Sequence, residues 1–182
     1  MADERHPREV ISAACAEHGE DEVIDLCIAL MTGRISGQEA FGPEAVRVRW
    51  IAPDMGGWKY DDPVNHYWVR VWAARAFLYV WRDDVVDALL VAADDSHWRV
   101  REHVARITAQ RELGQLVDAL LPMLDYELPR VRVVAVRAVG AAGEYEHVAA
   151  IEELRDDPDA AVRAAVERAL ERLERRLDRE LT

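Results

Sequence analysis

Asp157-Pro158-Asp159-Ala160-Ala161-Val162-Arg163-Ala164-Ala165 is the stretch whose reading decides the fold. It holds a proline turn, two acids that can cap a helix start, and a Val-Arg doublet entering a run of small residues. The doublet recurs as Val69-Arg70, Val100-Arg101, Val131-Arg132 and Val162-Arg163, at a constant pitch of 31 residues. Other columns keep the same frame. Four positions after each valine stand Ala73, Val104, Ala135 and Val166, and seven after it stand Ala76, Ile107, Ala138 and Ala169. Offsets of 0, +4 and +7 lie along one side of an α-helix, so these columns predict a buried stripe. Asp94, Asp125 and Asp156 precede the later doublets by six residues. So many columns at one pitch mark an internal repeat.

Outward from the doublets, the frame predicts helices over 66–81, 98–110, 129–141 and 159–180. Between them it places helices over 83–93, 113–124 and 145–155, and short connections make successive helices antiparallel. Asp83 or Asp84, and Asp157 or Asp159, are positioned to cap helix starts, and Pro129 suits a first helical turn. Toward the N-terminus, Val10, Ile11, Ala14 and Cys15 predict a helix ending near Gly19. Val23, Ile24, Cys27, Leu30 and Met31 predict a second one stopped by Gly33. Residues 1–6 read as a frayed tail.

Residues 33–65 break the pattern. They hold Gly33, Gly37, Gly42, Gly56, Gly57, Pro43, Pro53 and Pro63, and read as a degenerate unit. A short helix is expected from Pro43 to Trp50, with a loop after it. The whole of 1–182 is thus expected to be one all-α domain, an α-solenoid of antiparallel helix pairs. It divides into a diverged N-terminal pair (7–32), the Gly/Pro/Trp-containing segment (33–65) and regular units with a capping helix (66–182).

The turn-then-doublet pattern resembles the HEAT repeat, and its short pitch resembles the HEAT-like repeats of phycobilin lyases. The likeness covers residues 66–175 and, more loosely, 7–32, and departs at Leu128-Pro129. It implies a superhelix in which the Asp and the doublet's Arg tie turns together and the Val-Arg helices line a concave face. Related HEAT-like arrays include alkylpurine DNA glycosylases, which set Trp and a carboxylate in a basic groove, and deoxyhypusine hydroxylases, which bind iron through His-Glu pairs. Here the pairs run in reverse order (Glu17-His18, Glu102-His103, Glu146-His147), ignore the 31-residue frame, and read as surface coincidences. Nothing in the sequence marks a bilin site.

Two sets of residues invite a binding role. Arg75, Arg106, Arg137 and Arg168 form a column about 240° round the helix from the doublet's valine, off the core stripe. They fit either an internal lattice with acids of neighbouring helices or a basic groove that receives carboxylates or phosphates through bidentate contacts. All six tryptophans fall within residues 50–98. Trp68 and Trp72 share a helix face, Trp98 opens a doublet helix, and Trp58 and Tyr60 follow the Gly56-Gly57 turn. The aromatic set fits a local core or a binding surface, since Trp and Arg dominate interaction hot spots.

Composition narrows the function. A net charge of −12 opposes general attraction to nucleic acid or anionic lipid. No apolar run is long enough to span a bilayer and no signal-peptide pattern opens the chain. Cys15 and Cys27 read as free thiols in apolar stripes, in keeping with a cytoplasmic protein. Twenty-two arginines against the single Lys59 suggest a bacterial source. No nucleotide, metal or nucleophile motif is present, so no catalytic residue, cofactor or metal is expected. The expected function is a non-enzymatic scaffold that binds a protein partner through Arg75, Arg106, Arg137, Trp58, Tyr60, Trp68, Trp72 and Trp98. The alternative is a nucleic-acid-binding or alkylpurine-glycosylase-like repair protein using the same groove.

Overall fold

The computed structural model describes residues 6–52 and 62–177. It is all-α, with eleven α-helical segments and no strand among the described residues. The chain separates into two compact units, residues 1–92 and 93–182.

In the first unit, α1 (Pro7–His18) begins with a proline in its first turn and ends at Gly19, whose φ of 95° suits glycine. His6 belongs to this helix start and not to a frayed tail. Its Nδ1 accepts from the Arg8 N–H, and its own N–H donates to Glu9. Helix α2 (Glu20–Met31) buries Val23, Ile24, Leu26, Cys27, Leu30 and Met31. It packs against α1, α5 (Tyr67–Ala76) and α6 (Val85–Ala92). Cys27 is fully buried, and burial pushes both its thiol and that of Cys15 above the usual range. Neither is in a disulfide among the described residues.

The expected Pro43–Trp50 helix is replaced by two single-turn pieces, α3 (Gly37–Ala40) and α4 (Ala45–Val48), followed after residue 61 by a 3-10 turn, Pro63–Asn65. The reason is local. Ser36 and Glu39 form a reciprocal capping box that starts a helix earlier than Pro43 does. The chain then turns through Gly42-Pro43, so that Pro43 precedes α4 and is not its first residue.

The second unit is built around α9 (Pro129–Ala142). It packs between α7 (Trp98–Arg111) and α11 (Ala160–Leu177), and also touches α8 (Val117–Leu120). Ten of its fourteen residues are buried, and Arg130 and Arg137 are its exposed positions. Gly140 makes this possible: a Cβ there would lie 2.5 Å from Ala169 Cβ, so α9 and α11 approach more closely than an alanine would permit. Leu116, Leu120, Met123, Ile151 and Leu173 complete the core, each contributing about 1.5–3 kcal/mol by burial. The expected helix 113–124 is broken into a 3-10 turn, α8 and a second 3-10 turn over Leu121–Asp125. Pro122 is the cause: it lacks an N–H and its ring crowds the carbonyl four residues back. The helix expected over 145–155 is likewise a 3-10 turn followed by the short α10 (Val148–Glu152).

The apolar columns are buried throughout. Val69, Val100, Val131 and Val162 are at most 1% exposed, and every +4 and +7 residue is buried. Two turns of the second unit share a contact at the same spacing. Arg132 Nη1 donates to the carbonyls of Tyr126 (2.7 Å) and Glu127 (3.1 Å). Thirty-one residues on, Arg163 Nη1 donates to those of Asp157 (2.6 Å) and Pro158 (3.2 Å). Asp94, Asp125 and Asp156 are exposed; the acid that meets a doublet Arg stands one residue later in the frame. Asp157 accepts from Arg132 through both oxygens (Nε to Oδ2 2.7 Å, Nη2 to Oδ1 2.9 Å). The equivalent of Asp157 one pitch earlier is Tyr126. Its ring lies 5.0 Å from the Arg101 guanidinium, and the Arg101 Nε is buried without a hydrogen bond.

Candidate functional site

In the second unit, α7, α9 and the start of α11 enclose an open groove of about 420 Å³. Glu102 and Arg106 come from α7, Arg130, Val133, Val134 and Arg137 from α9, and Asp159 and Ala161 from the entry to α11. Helical spacing explains the α9 set, since 130, 133, 134 and 137 lie on one face.

Glu102 is the anchor of the groove. It is 2% exposed, yet carries a carboxylate that two arginines satisfy. Arg106 Nη2 donates to Oε1 (2.8 Å), and Arg130 Nη2 donates to Oε1 (2.8 Å) and Oε2 (3.0 Å). The two guanidinium groups stay half in water, at 48% and 54% exposure. A buried carboxylate beneath two hydrated arginines is an arrangement that holds both fork-shaped donors in place. Arg130 also stands 5.0 Å from the Trp98 ring centre and Arg99 4.4 Å from it, so Trp98 is gripped by two cations. Asp159 is occupied otherwise: its Oδ1 accepts from the Ala161 N–H (2.8 Å) and Val162 N–H (3.3 Å), capping α11 as the sequence suggested.

Arg137 differs from its neighbours. It is exposed, lines the groove beside Val133 and Val134, and has no hydrogen-bond or ion-pair partner among the described residues. Three arginines against two acids leave the groove with a net positive charge inside a protein of charge −12.

The expected binding residues therefore separate. Arg106 and Arg137 line one groove, and Arg130 links it to Trp98. Arg75 belongs to the first unit on α5, half-buried, where burial lowers its pKa from the usual arginine range. Trp72 is 3% exposed and stacks on Trp68 at 6.4 Å, with Phe41 edge-on at 6.3 Å and Tyr67 stacked on Trp68 at 5.1 Å. That cluster is a local aromatic core of the first unit, with Trp72 inside it and Trp68 half-buried. Trp58 and Tyr60 lie outside the described residues. The lattice expected between the Arg column and acids of the intervening helices does not form at Arg106, which pairs with an acid of its own helix.

Sequence reasoning overlooked Glu102, Arg130 and His147. Glu102 is no surface coincidence, and its signal is visible: it is the one acid in the first three doublet helices, 66–81, 98–110 and 129–141, which are otherwise basic. His147 is also buried. Its Nδ1 accepts from the Glu144 N–H (2.8 Å), so its Nε2 donates to Asp118 (3.0 Å), and the ring closes the start of α10. No group of three or more His, Cys, Asp or Glu able to hold a metal occurs among the described residues, and none of their helices is long and apolar enough to cross a membrane. Comparison of the chain with protein-family models, with curated proteins and with solved structures finds no match.

Proposed function

We propose that this chain is a HEAT-like helical-repeat protein that works as a non-enzymatic interaction module, receiving a segment of a partner protein in the α7–α9–α11 groove. The repeat reading is supported by the buried columns at a 31-residue pitch and by the matching Arg132 and Arg163 turn contacts. The observation that carries the binding role is Arg137, an exposed arginine over an apolar floor in a groove whose other arginines are held by a buried carboxylate. Such a floor with a few placed polar groups suits a peptide segment, with Trp98 beside it as an aromatic anchor.

The test is a pull-down from nuclease-treated bacterial lysate with the wild type and Arg137→Glu, whose folding is compared by circular dichroism. A protein held by the wild type and lost by the variant, at equal melting temperature, is the expected result. Retention of the same protein by both overturns the groove assignment. Recovery of nucleic acid from untreated lysate, with affinity falling steeply as salt rises, would replace this reading with the nucleic-acid one.

A further inference from the structure

The groove holds the same three positions twice, one pitch apart. At the first level stand Glu102, Arg106 and Arg130; at the second, 31 residues on in each case, stand Val133, Arg137 and Ala161, and all six line the groove. The first level is complete, with a carboxylate four residues before the column arginine and a second arginine reaching the same carboxylate. At the second level the arginine remains while valine replaces the carboxylate and alanine replaces the second arginine. Two large polar side chains have been exchanged for small apolar ones, and Arg137 faces the opening that results.

Resting on the interaction reading above, we infer that the partner supplies the missing carboxylate: an Asp or Glu side chain, flanked by aliphatic residues, pairs with Arg137 above Val133, Val134 and Ala161. The first level is the internal pattern for this contact. There an i,i+4 arginine receives a carboxylate at 2.8 Å, and the partner's group stands where the chain itself provides none at the second level. Charge supports the choice, because the groove is positive where the protein as a whole is negative. The floor decides the class of ligand. Val133, Val134, Pro129 and Ala161 offer apolar contact to aliphatic side chains and no donor to a sugar-phosphate backbone. A chain of charge −12 also repels a polyanion beyond the groove.

The pattern suggests its own test. Val133→Glu installs the carboxylate at the place that Glu102 occupies one pitch earlier, four residues before Arg137, and so fills the site from within. Val133→Gln has the same shape without the charge and controls for folding and sterics. A random dodecapeptide library displayed on phage is selected against the wild type, and the enriched peptides are measured on each variant by fluorescence polarisation. The expected result is enrichment of Asp or Glu flanked by aliphatic residues. Affinity should fall at least tenfold in Val133→Glu and in Arg137→Gln, and by a clearly smaller factor in Val133→Gln, which alters the apolar floor but adds no charge to compete for Arg137. Replacing the peptide carboxylate by its amide should cost a similar factor.

Enriched peptides without a carboxylate, peptides indifferent to Val133→Glu, or no enrichment at all would each overturn the carboxylate assignment. So would displacement of the peptide by millimolar inorganic phosphate, which would mark a general anion site. A lysate partner that still depends on Arg137 under any of these outcomes leaves the interaction reading standing; a partner indifferent to Arg137 removes that reading as well.

Discussion

The two helix-to-helix steps of the second unit, α7 to α9 and α9 to α11, place their ionic contacts on opposite sides. In the first step the groove side is clamped, with Glu102 beneath Arg106 and Arg130. Its turn side has an aromatic ring where an acid could stand, Tyr126 facing Arg101. In the second step the turn side is clamped by the two-pronged Arg132–Asp157 pair, and the groove side is left open at Arg137. Each step thus has one clamp, and where the groove clamp is missing there is capacity for a ligand. One column of arginines is paired with an acid at one position and left open at the next.

The sharpest way to break this comparison is to remove the first groove clamp. Arg106→Ala with Arg130→Ala leaves a carboxylate of 2% exposure unpaired, and should cost about 3–5 kcal/mol in urea unfolding. Arg137→Ala should change stability by less than about 0.5 kcal/mol, as for an ordinary surface residue. Equal losses in the two variants would erase the distinction between the levels.

The second clamp should yield about 2–3 kcal/mol on Asp157→Ala, less than a deep ion pair, since Arg132 keeps its two carbonyl partners. It also has a pH signature. Hydrogen bonds from Arg132 hold the Asp157 carboxyl below the usual range, so the unfolded chain binds its proton first on acidification. The stabilisation is therefore complete above about pH 4 and fades as pH falls through the lower folded value. Wild type should lose its advantage over Asp157→Asn in that acid range; a difference independent of pH would count against the charged pair.

Gly140→Ala tests the close approach of α9 to α11. Its Cβ would meet Ala169, and the expected loss is about 1–3 kcal/mol, seen as a lower melting temperature. Of opposite sign is Tyr126→Asp. It places an acceptor opposite the buried, unsatisfied Arg101 Nε and copies the Asp157 turn, so a gain of about 1 kcal/mol is expected. A loss of stability there would show that the two turns are not equivalent.

The fate of particular residues shows what was legible. The valine, +4 and +7 columns were readable because burial on a helix follows a period that one strand of text displays. Pro129 at a helix start, Gly19 at a helix end and the Asp159 cap were readable because backbone chemistry is local. The break at Pro122 is local as well, but there the repeat frame predicts an unbroken helix, and at Pro43 the first-turn preference of proline yields to the Ser36–Glu39 capping box just before it.

The sequence by itself thus determined an all-α chain, the buried face of its main helices and the spacing at which equivalent positions return, since each depends on periodicity and short-range sterics. Only the tertiary structure decided which charges meet. Glu102 and Arg130 stand 28 residues apart, and Asp157 reaches back 25 residues to Arg132. The i,i+4 spacing already separates Arg106, paired with Glu102, from Arg137, preceded by Val133; packing alone brings Arg130 onto the same carboxylate and leaves Ala161 at its place one pitch later. The meaning of that alanine appears when α7, α9 and α11 are packed side by side.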